Sequence, residues 1–286
     1  MLKSIKATNY DNISLTMYMS DTNFRNLGFA IKKVEGLGPV KGNINTSDEA
    51  NGNGGIYISS KKEPRNIIIT LALKQFSSTT NPEKTRQSIY RTFQIGKLVT
   101  LLITTDNRTV TCVGYTESCE PDIFSDNQDV AISIICPDPV LYDTTERSYS
   151  GSWNATNKVY DLAPFSYGDC PVGFKMAIQV TGTGLGNFLL TETKTGRVMS
   201  IYTGSASIGG KTGIQAGDLI TIITKRGKKA ITLKRGGVEY SIINLIQDGS
   251  SWFEARYGAV SFTLSTGSTS NNASVKMTWY DAFEGV

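Results

Sequence analysis

The chain has 286 residues, 39% of them hydrophobic and 19% charged, and its 29 Lys+Arg against 25 Asp+Glu give a formal net charge of +4. That size and balance suit a globular protein of one or two domains whose core needs neither disulfide nor metal, and the small, dispersed charge argues against nucleic acid as the partner. Histidine is absent, which excludes Ser-His-Asp and Cys-His nucleophiles and every His-based zinc site.

No stretch approaches the ~20 apolar residues a membrane helix needs, and the N-terminus lacks the apolar run of a signal peptide. The expectation is a protein made in a cytoplasm, with no membrane insertion. Cys112, Cys119, Cys136 and Cys170 match no zinc spacing and read as reduced thiols, Cys112 and Cys136 as small core residues. No phosphate-binding loop is present, and the Gly-rich run Gly182–Gly186 opens no helical pattern.

In chain order, Gly36–Gly55 is dominated by glycine and polar residues and reads as a long loop, either solvated or used in assembly. Asn66–Leu73 is a β-branched strand. Asn81-Pro82-Glu83 supplies a helix N-cap, a first-turn proline and an acidic residue at the positive end of the dipole. The helix is expected over Pro82–Ile95, with Ile89 and Phe93 on one face and Gly96 as its stop. Leu98–Thr105 and Thr109–Tyr115 flank the turn Asp106-Asn107-Arg108 and read as a hairpin, and Val130–Cys136 is a further strand.

Composition breaks after Pro139. Residues 141–158 are mostly polar and read as a linker or the frayed start of a second domain, so the expected division is 1–140 and 141–286. The second half shows short strands at Met176–Thr181, Asn187–Glu192, Val198–Tyr202, Asp218–Thr224, Lys229–Lys234, Val238–Ile243, Ala259–Leu264 and Ala273–Tyr280. Their spacing suggests a β-sandwich. The basic run Lys225, Arg226, Lys228, Lys229, Lys234 and Arg235 includes Arg226-Gly227-Lys228, which reads as a turn in a solvated hairpin. The fold class is therefore mainly β: an N-terminal sandwich or barrel-like domain with one packed helix, then an all-β sandwich like those of galectins and carbohydrate-binding modules.

The stretch Gly114–Tyr142 runs as strand, glutamate-containing turn (Glu117, Glu120), strand and a rigid Pro137-Asp138-Pro139 exit. Together with Arg65 leading an apolar strand, the single helix, Gly217-Asp218-Leu219, Ser251-Trp252-Phe253 and the closing Glu284-Gly285-Val286, it resembles the distal tail proteins of tailed bacteriophages. The likeness touches most of the chain from about Leu27. Two places depart from the family pattern: Tyr257-Gly258-Ala259-Val260, where the family often has Pro-Gly-x-Asn, and the Gly36–Gly55 loop.

What the resemblance implies is structural. The protein would be a component of a phage tail tip or baseplate, in the virion tail and assembled in the bacterial host cytoplasm. It would form a hexameric ring between the tail tube protein and a tail-associated fibre or lysin hub protein, with no cofactor and no enzymatic role. A ring needs heterologous surfaces that close by rotation. Lys61, Lys62 and Arg65 form a basic group, and Glu117, Asp122, Asp126 and Asp129 an acidic one, that could pair across subunits. Pro137, Asp138 and Pro139 are the interdomain junction.

A second reading is a carbohydrate- or receptor-binding tail protein. In it the C-terminal sandwich meets a host surface glycan or a receptor-binding protein, with Trp153, Tyr167 and Tyr202 as glycan contacts. The cluster Glu117, Glu120 and Asp122 could in principle supply the two carboxylates of glycoside hydrolysis, but acidic turn residues are ordinarily solvated.

Overall fold

The structure is a computed structural model that describes residues 1–19, 25–48, 53–74, 81–122, 128–182, 185–267 and 272–286, with only the backbone described over 163–165. It is built almost wholly of antiparallel strands and divides into two compact units. One is Met1–Thr144 together with Phe283–Val286, and the other is Thr145–Ala282.

In the first unit β1 (Leu2–Asn9), β2 (Ser14–Tyr18), β3 (Phe29–Glu35), β4 (Gly42–Asp48), β5 (Gly55–Lys62) and β6 (Arg65–Leu73) precede the helix α1 (Pro82–Thr92). Then come β7 (Leu98–Thr105), β8 (Thr109–Pro121), β9 (Gln128–Cys136) and the start of β10 (Leu141–Trp153). The long strand β8 has a divided role. Its first half pairs with β7, Leu98 opposite Tyr115 through Thr104 opposite Thr109. Its second half pairs with β9, from Tyr115 opposite Ile135 to Pro121 opposite Val130. It therefore joins the ladder β2-β1-β7-β8 to the ladder β8-β9-β6-β3.

Strict alternation explains the core between them. Ile67, Ile69, Leu71 and Leu73 of β6 point inward, as do Val99, Leu101 and Ile103 of β7 and Val130, Ile132, Ile134 and Cys136 of β9. This is the period-2 signature of strands with one buried face. Helix α1 adds Ile89, and Phe93 follows it into the same cluster.

The helix starts as its sequence dictates: Asn81 Oδ1 accepts the Glu83 backbone N–H at 2.8 Å. It ends at Thr92, three residues short of the expected Ile95, because Phe93 leaves helical geometry (φ −106°, ψ 63°) to bury its ring, while Ile95 stays 60% exposed.

Two expectations are corrected. The glycine-rich stretch expected to be a loop contains β4 and the start of β5, which pair antiparallel from Gly42 opposite Lys62 to Asp48 opposite Gly55. The polar stretch 141–158, expected as a linker or the frayed start of a second domain, is no linker: it is occupied by β10 and the start of β11 (Asn157–Ser166), and the second unit begins within it at Thr145. Polar composition misled in both places, because these strands rest on ladder hydrogen bonds rather than on a continuous apolar face.

The second unit holds most of β10, then β11, β12 (Lys175–Val180), β13 (Phe188–Glu192), β14 (Arg197–Ile201), β15 (Ser207–Ile208), β16 (Lys211–Thr212), β17 (Leu219–Ile223), β18 (Ala230–Arg235), β19 (Val238–Ser241), β20 (Gly258–Thr266) and β21 (Ala273–Phe283). Six of these strands form the order β19-β18-β17-β12-β21-β10, and four form β11-β20-β13-β14. The buried side chains Trp153, Tyr160, Phe174, Met176, Phe188, Ile220, Ile222, Phe262 and Met277 form the filling of a β-sandwich. Phe262 stacks on Phe253, ring centroids 6.2 Å apart, and lies 5.3 Å from Phe174.

Candidate assembly surface

Of the basic group, only part faces solvent. Lys61 is exposed on β5, and Lys62 makes an ion pair with Glu284. Arg65 is a correction: it is 1% exposed and lies inside the first unit. Its Nε donates to the Pro139 carbonyl at 2.7 Å, and its Nη1 to the carbonyls of Gly36 (2.5 Å) and Gly38 (2.7 Å). Its Nη2 donates to the carbonyl of Glu284 at 2.6 Å. A fork of five donors can satisfy several converging carbonyls, which a lysine cannot. Arg65 thus holds the loop after β3, the Pro-Asp-Pro step and the C-terminal residues together, and it is unavailable to another subunit.

Two of the acidic group, Glu117 and Asp129, are likewise engaged locally. Glu117 accepts from the Ser133 hydroxyl at 2.7 Å, next to the bulge in the β8–β9 ladder. Asp129 accepts from Lys32 Nζ at 2.5 Å. The Asp122 backbone N–H closes on the Asp129 carbonyl at 2.8 Å, leaving the Asp122 side chain exposed. Asp126 lies outside the described residues. The Pro137-Asp138-Pro139 step is ordered by its own aspartate, whose carboxylate accepts from the Tyr142 hydroxyl at 2.8 Å and from the Val140 N–H at 3.3 Å.

The thiols are packed rather than poised. All four are free. Hydrogen bonding to Cys136, together with burial, holds the Cys112 thiol far above its ordinary value, and burial pushes Cys119 up to about 11.

The expected glycan contacts do not form a site. Trp153 is fully buried, edge-on to Phe188 at 6.1 Å, which corrects its assignment as a surface contact. Tyr167 is 63% exposed but carries the Arg147 guanidinium 4.4 Å from its ring centre, and Arg147 in turn pairs with buried Asp281 at 2.5 Å. Tyr202 is exposed at the end of β14, its N–H bound to the Leu245 carbonyl.

The feature that sequence reasoning missed is the β4–β5 hairpin. Every residue of both strands is exposed, and among the described strands the two pair only with each other. Ile44, Ile56, Tyr57 and Ile58 are each more than half exposed. An isolated two-stranded hairpin is marginal in water, and exposed apolar groups on it mark a contact surface. The signal available was Ile56-Tyr57-Ile58, a short β-favouring run between glycines and lysines.

The class defined by this architecture is a two-unit, mainly-β protein in which the second unit is inserted ahead of the last four residues of the first. No family model matches the chain, and no curated protein matches it in sequence. Among solved structures, it is similar to the SPP1 Dit (gp 19.1) protein, a paradigm of the hub adsorption apparatus in Gram-positive infecting phages. The likeness has a TM-score of 0.64 at 12% identity over 98% of this chain and 100% of that one. A second match is to the phage P2 baseplate in its activated conformation with calcium, at a TM-score of 0.42 and 12% identity over 97% of this chain and 98% of that one. The fold is that of the SPP1 Dit protein.

Proposed function

We propose that the protein is a structural component of a phage tail tip or baseplate. In this reading it assembles with copies of itself into a ring that joins the tail tube to the host-adsorption apparatus, and it resides in the virion tail. The observation that carries the reading is the full-length likeness to the SPP1 Dit protein, which spans both units rather than one portable module. Fold alone does not define function, and the β4–β5 hairpin adds a physical reason. An arm with Ile44, Ile56, Tyr57 and Ile58 exposed suits a head-to-tail contact, in which one subunit's arm lies on a different surface of the next. Contacts of that kind close into a ring when the rotation allows. The resemblance suggests six subunits, with a tail tube protein on one face and a fibre or lysin hub protein on the other.

Light scattering on the purified protein, with negative-stain imaging, tests this. The expected result is a closed ring of about 190 kDa, six copies of the 31.1 kDa chain, for the wild type and a folded monomer for the double variant Ile56→Ser/Ile58→Ser. Both substitutions lie on the fully exposed arm, so the variant should keep the wild-type circular-dichroism spectrum and a cooperative melt, with any fall in melting temperature limited to the stabilisation that assembly supplied. A ring that survives both substitutions would remove the arm from the contact. A monomer that stays monomeric when mixed with tail tube protein would overturn the ring itself.

A further inference from the structure

The second unit carries a concave site that the assembly reading does not use. It is a cleft of about 490 Å³ lined by Arg197, Arg226, Lys229 and Arg256, by the rings of Trp252 and Tyr257, and by Glu254. Four cations thus face one carboxylate. Among the described residues, no ion pair uses any of the four, although Arg147 and Arg235 elsewhere in this unit are each paired with a buried aspartate. The positive charge is therefore concentrated on one concavity.

The walls are fixed by the fold. Arg226 and Lys229 come from the β17–β18 turn, which closes with Lys228 N–H on the Lys225 carbonyl at 3.0 Å and with Gly227 at φ 72°. A Cβ on Gly173 would lie 2.4 Å from the Lys225 Cα, so that turn packs directly on the segment before β12. The opposite wall, 252–257, is held by paired bonds between Val172 and Ala255 at 2.7 and 2.8 Å and by Phe253, whose ring is buried against Phe262. Trp252 is half-buried with Lys229 Nζ 5.5 Å from its ring centre, and Tyr257 is 57% exposed. Charge and aromatic faces therefore share one preformed cavity.

We propose that this cleft binds an acidic saccharide, one whose sugar rings carry carboxylate or phosphodiester groups. Guanidinium groups supply charge-assisted, bidentate hydrogen bonds to such anions. Flat aromatic rings pack on the apolar faces of sugars, a contact that a bare anion cannot use. The volume lies in the range of small-ligand sites, roughly 300–1,000 Å³, whereas a protein partner would need a broader face of about 800 Å². Screening by salt should weaken the complex, since the cations are exposed.

The test is calorimetric titration of the full-length protein with four probes: trigalacturonate, a glycerol-phosphate trimer linked to glucose, maltotriose and inorganic phosphate. The expected result is binding of one or both anionic saccharides, with whichever is tighter identifying carboxylate or phosphodiester as the native anion. Maltotriose should not bind. Arg226→Ser and Arg256→Ser should each weaken binding about tenfold or more. Tyr257→Ala should weaken the saccharides several-fold, with phosphate unchanged. All three positions are exposed, so the variants should fold as wild type.

Equal binding of maltotriose would overturn the proposal, as would phosphate binding as tightly as the saccharides, unchanged affinity in the arginine variants, or no binding of either anionic saccharide. An acidic peptide that binds as tightly as trigalacturonate would replace the saccharide with a protein partner. None of these outcomes depends on whether the protein forms a ring.

Discussion

Arg65 donates from Nη2 to the backbone carbonyl of Glu284 at 2.6 Å, across 219 residues of sequence. The same guanidinium holds Pro139, so one buried side chain fixes both the stretch by which the chain leaves the first unit and the stretch by which it returns. The C-terminal Val286 N–H adds a bond to the Leu37 carbonyl at 3.1 Å, beside the loop that Arg65 also grips.

Replacing Arg65 with Met should remove the buried donor that four part-buried carbonyls share. Each unmade bond to a buried group costs about 1–3 kcal/mol, partly recovered by local water. The expected loss is about 3–5 kcal/mol in urea unfolding, with Arg65→Lys losing less because the ammonium keeps the charge and some donors. A loss under about 1 kcal/mol for Arg65→Met would show that the carbonyls find other partners.

Gly36 enables this arrangement. Its φ is 80°, and a Cβ there would sit 1.8 Å from the Asn66 carbonyl oxygen. Gly36→Ala should therefore displace the backbone that Arg65 binds and cost about 2 kcal/mol or more. Thermal melting of Gly36→Ala, Arg65→Met and the double variant should show a strongly non-additive pair.

In the second unit Arg235 and Asp218 form a bidentate pair at 2.9 and 2.5 Å, and Arg235 also donates to the carbonyls of Ile208 and Gly213. The Asp218 side chain is 1% exposed. Asp218→Leu should cost about 2–4 kcal/mol by leaving a part-buried guanidinium, 13% exposed, without its carboxylate. Adding Arg235→Leu should recover part of that loss, which chemical denaturation of the two single variants and the double variant would show.

Thiol chemistry should be slow in the native state. Cys112, Cys136 and Cys170 are at most 3% exposed, and Cys119 is half-buried with its thiol raised to about 11. Only thiolate reacts, which limits Cys119, and burial shuts reagent away from Cys112, Cys136 and Cys170, so alkylation at pH 8 should be slow for all four, and complete after denaturation. As pH rises towards 11, Cys119 should react first, its rate climbing about tenfold per pH unit. Peptide mapping of the labelled protein would check this, and fast labelling of Cys119 at pH 8 would contradict it.

Several elements are legible in the amino-acid sequence. Strand β7 occupies Leu98–Thr105 as expected, because a short run of aliphatic and β-branched residues is bounded by the turn Asp106-Asn107-Arg108. The start of α1 is written in Asn81-Pro82-Glu83, a purely local signal. The same locality explains the failures. Neither β4, β5 nor β10 carries a continuous apolar face, so nothing in their composition distinguishes them from loops. The charged residues are harder still. Arg65 and Lys62 stand three positions apart and look equivalent in sequence, yet one is buried among carbonyls and the other lies at the surface, because burial depends on residues more than 200 positions away.

Residue identity and near-neighbour spacing settle two things about this protein. They remove the chemistry that needs histidine, both nucleophilic and zinc-based, and they set the alternating strands that make the chain mainly β. Both are local properties. Three further features exist only in the folded chain: its return to the first unit for the last four residues, the fully exposed β4–β5 hairpin, and the cleft that gathers Arg197, Arg226, Lys229 and Arg256. Those are relations between distant segments, set by how β-ladders bring them together, and no local pattern encodes them.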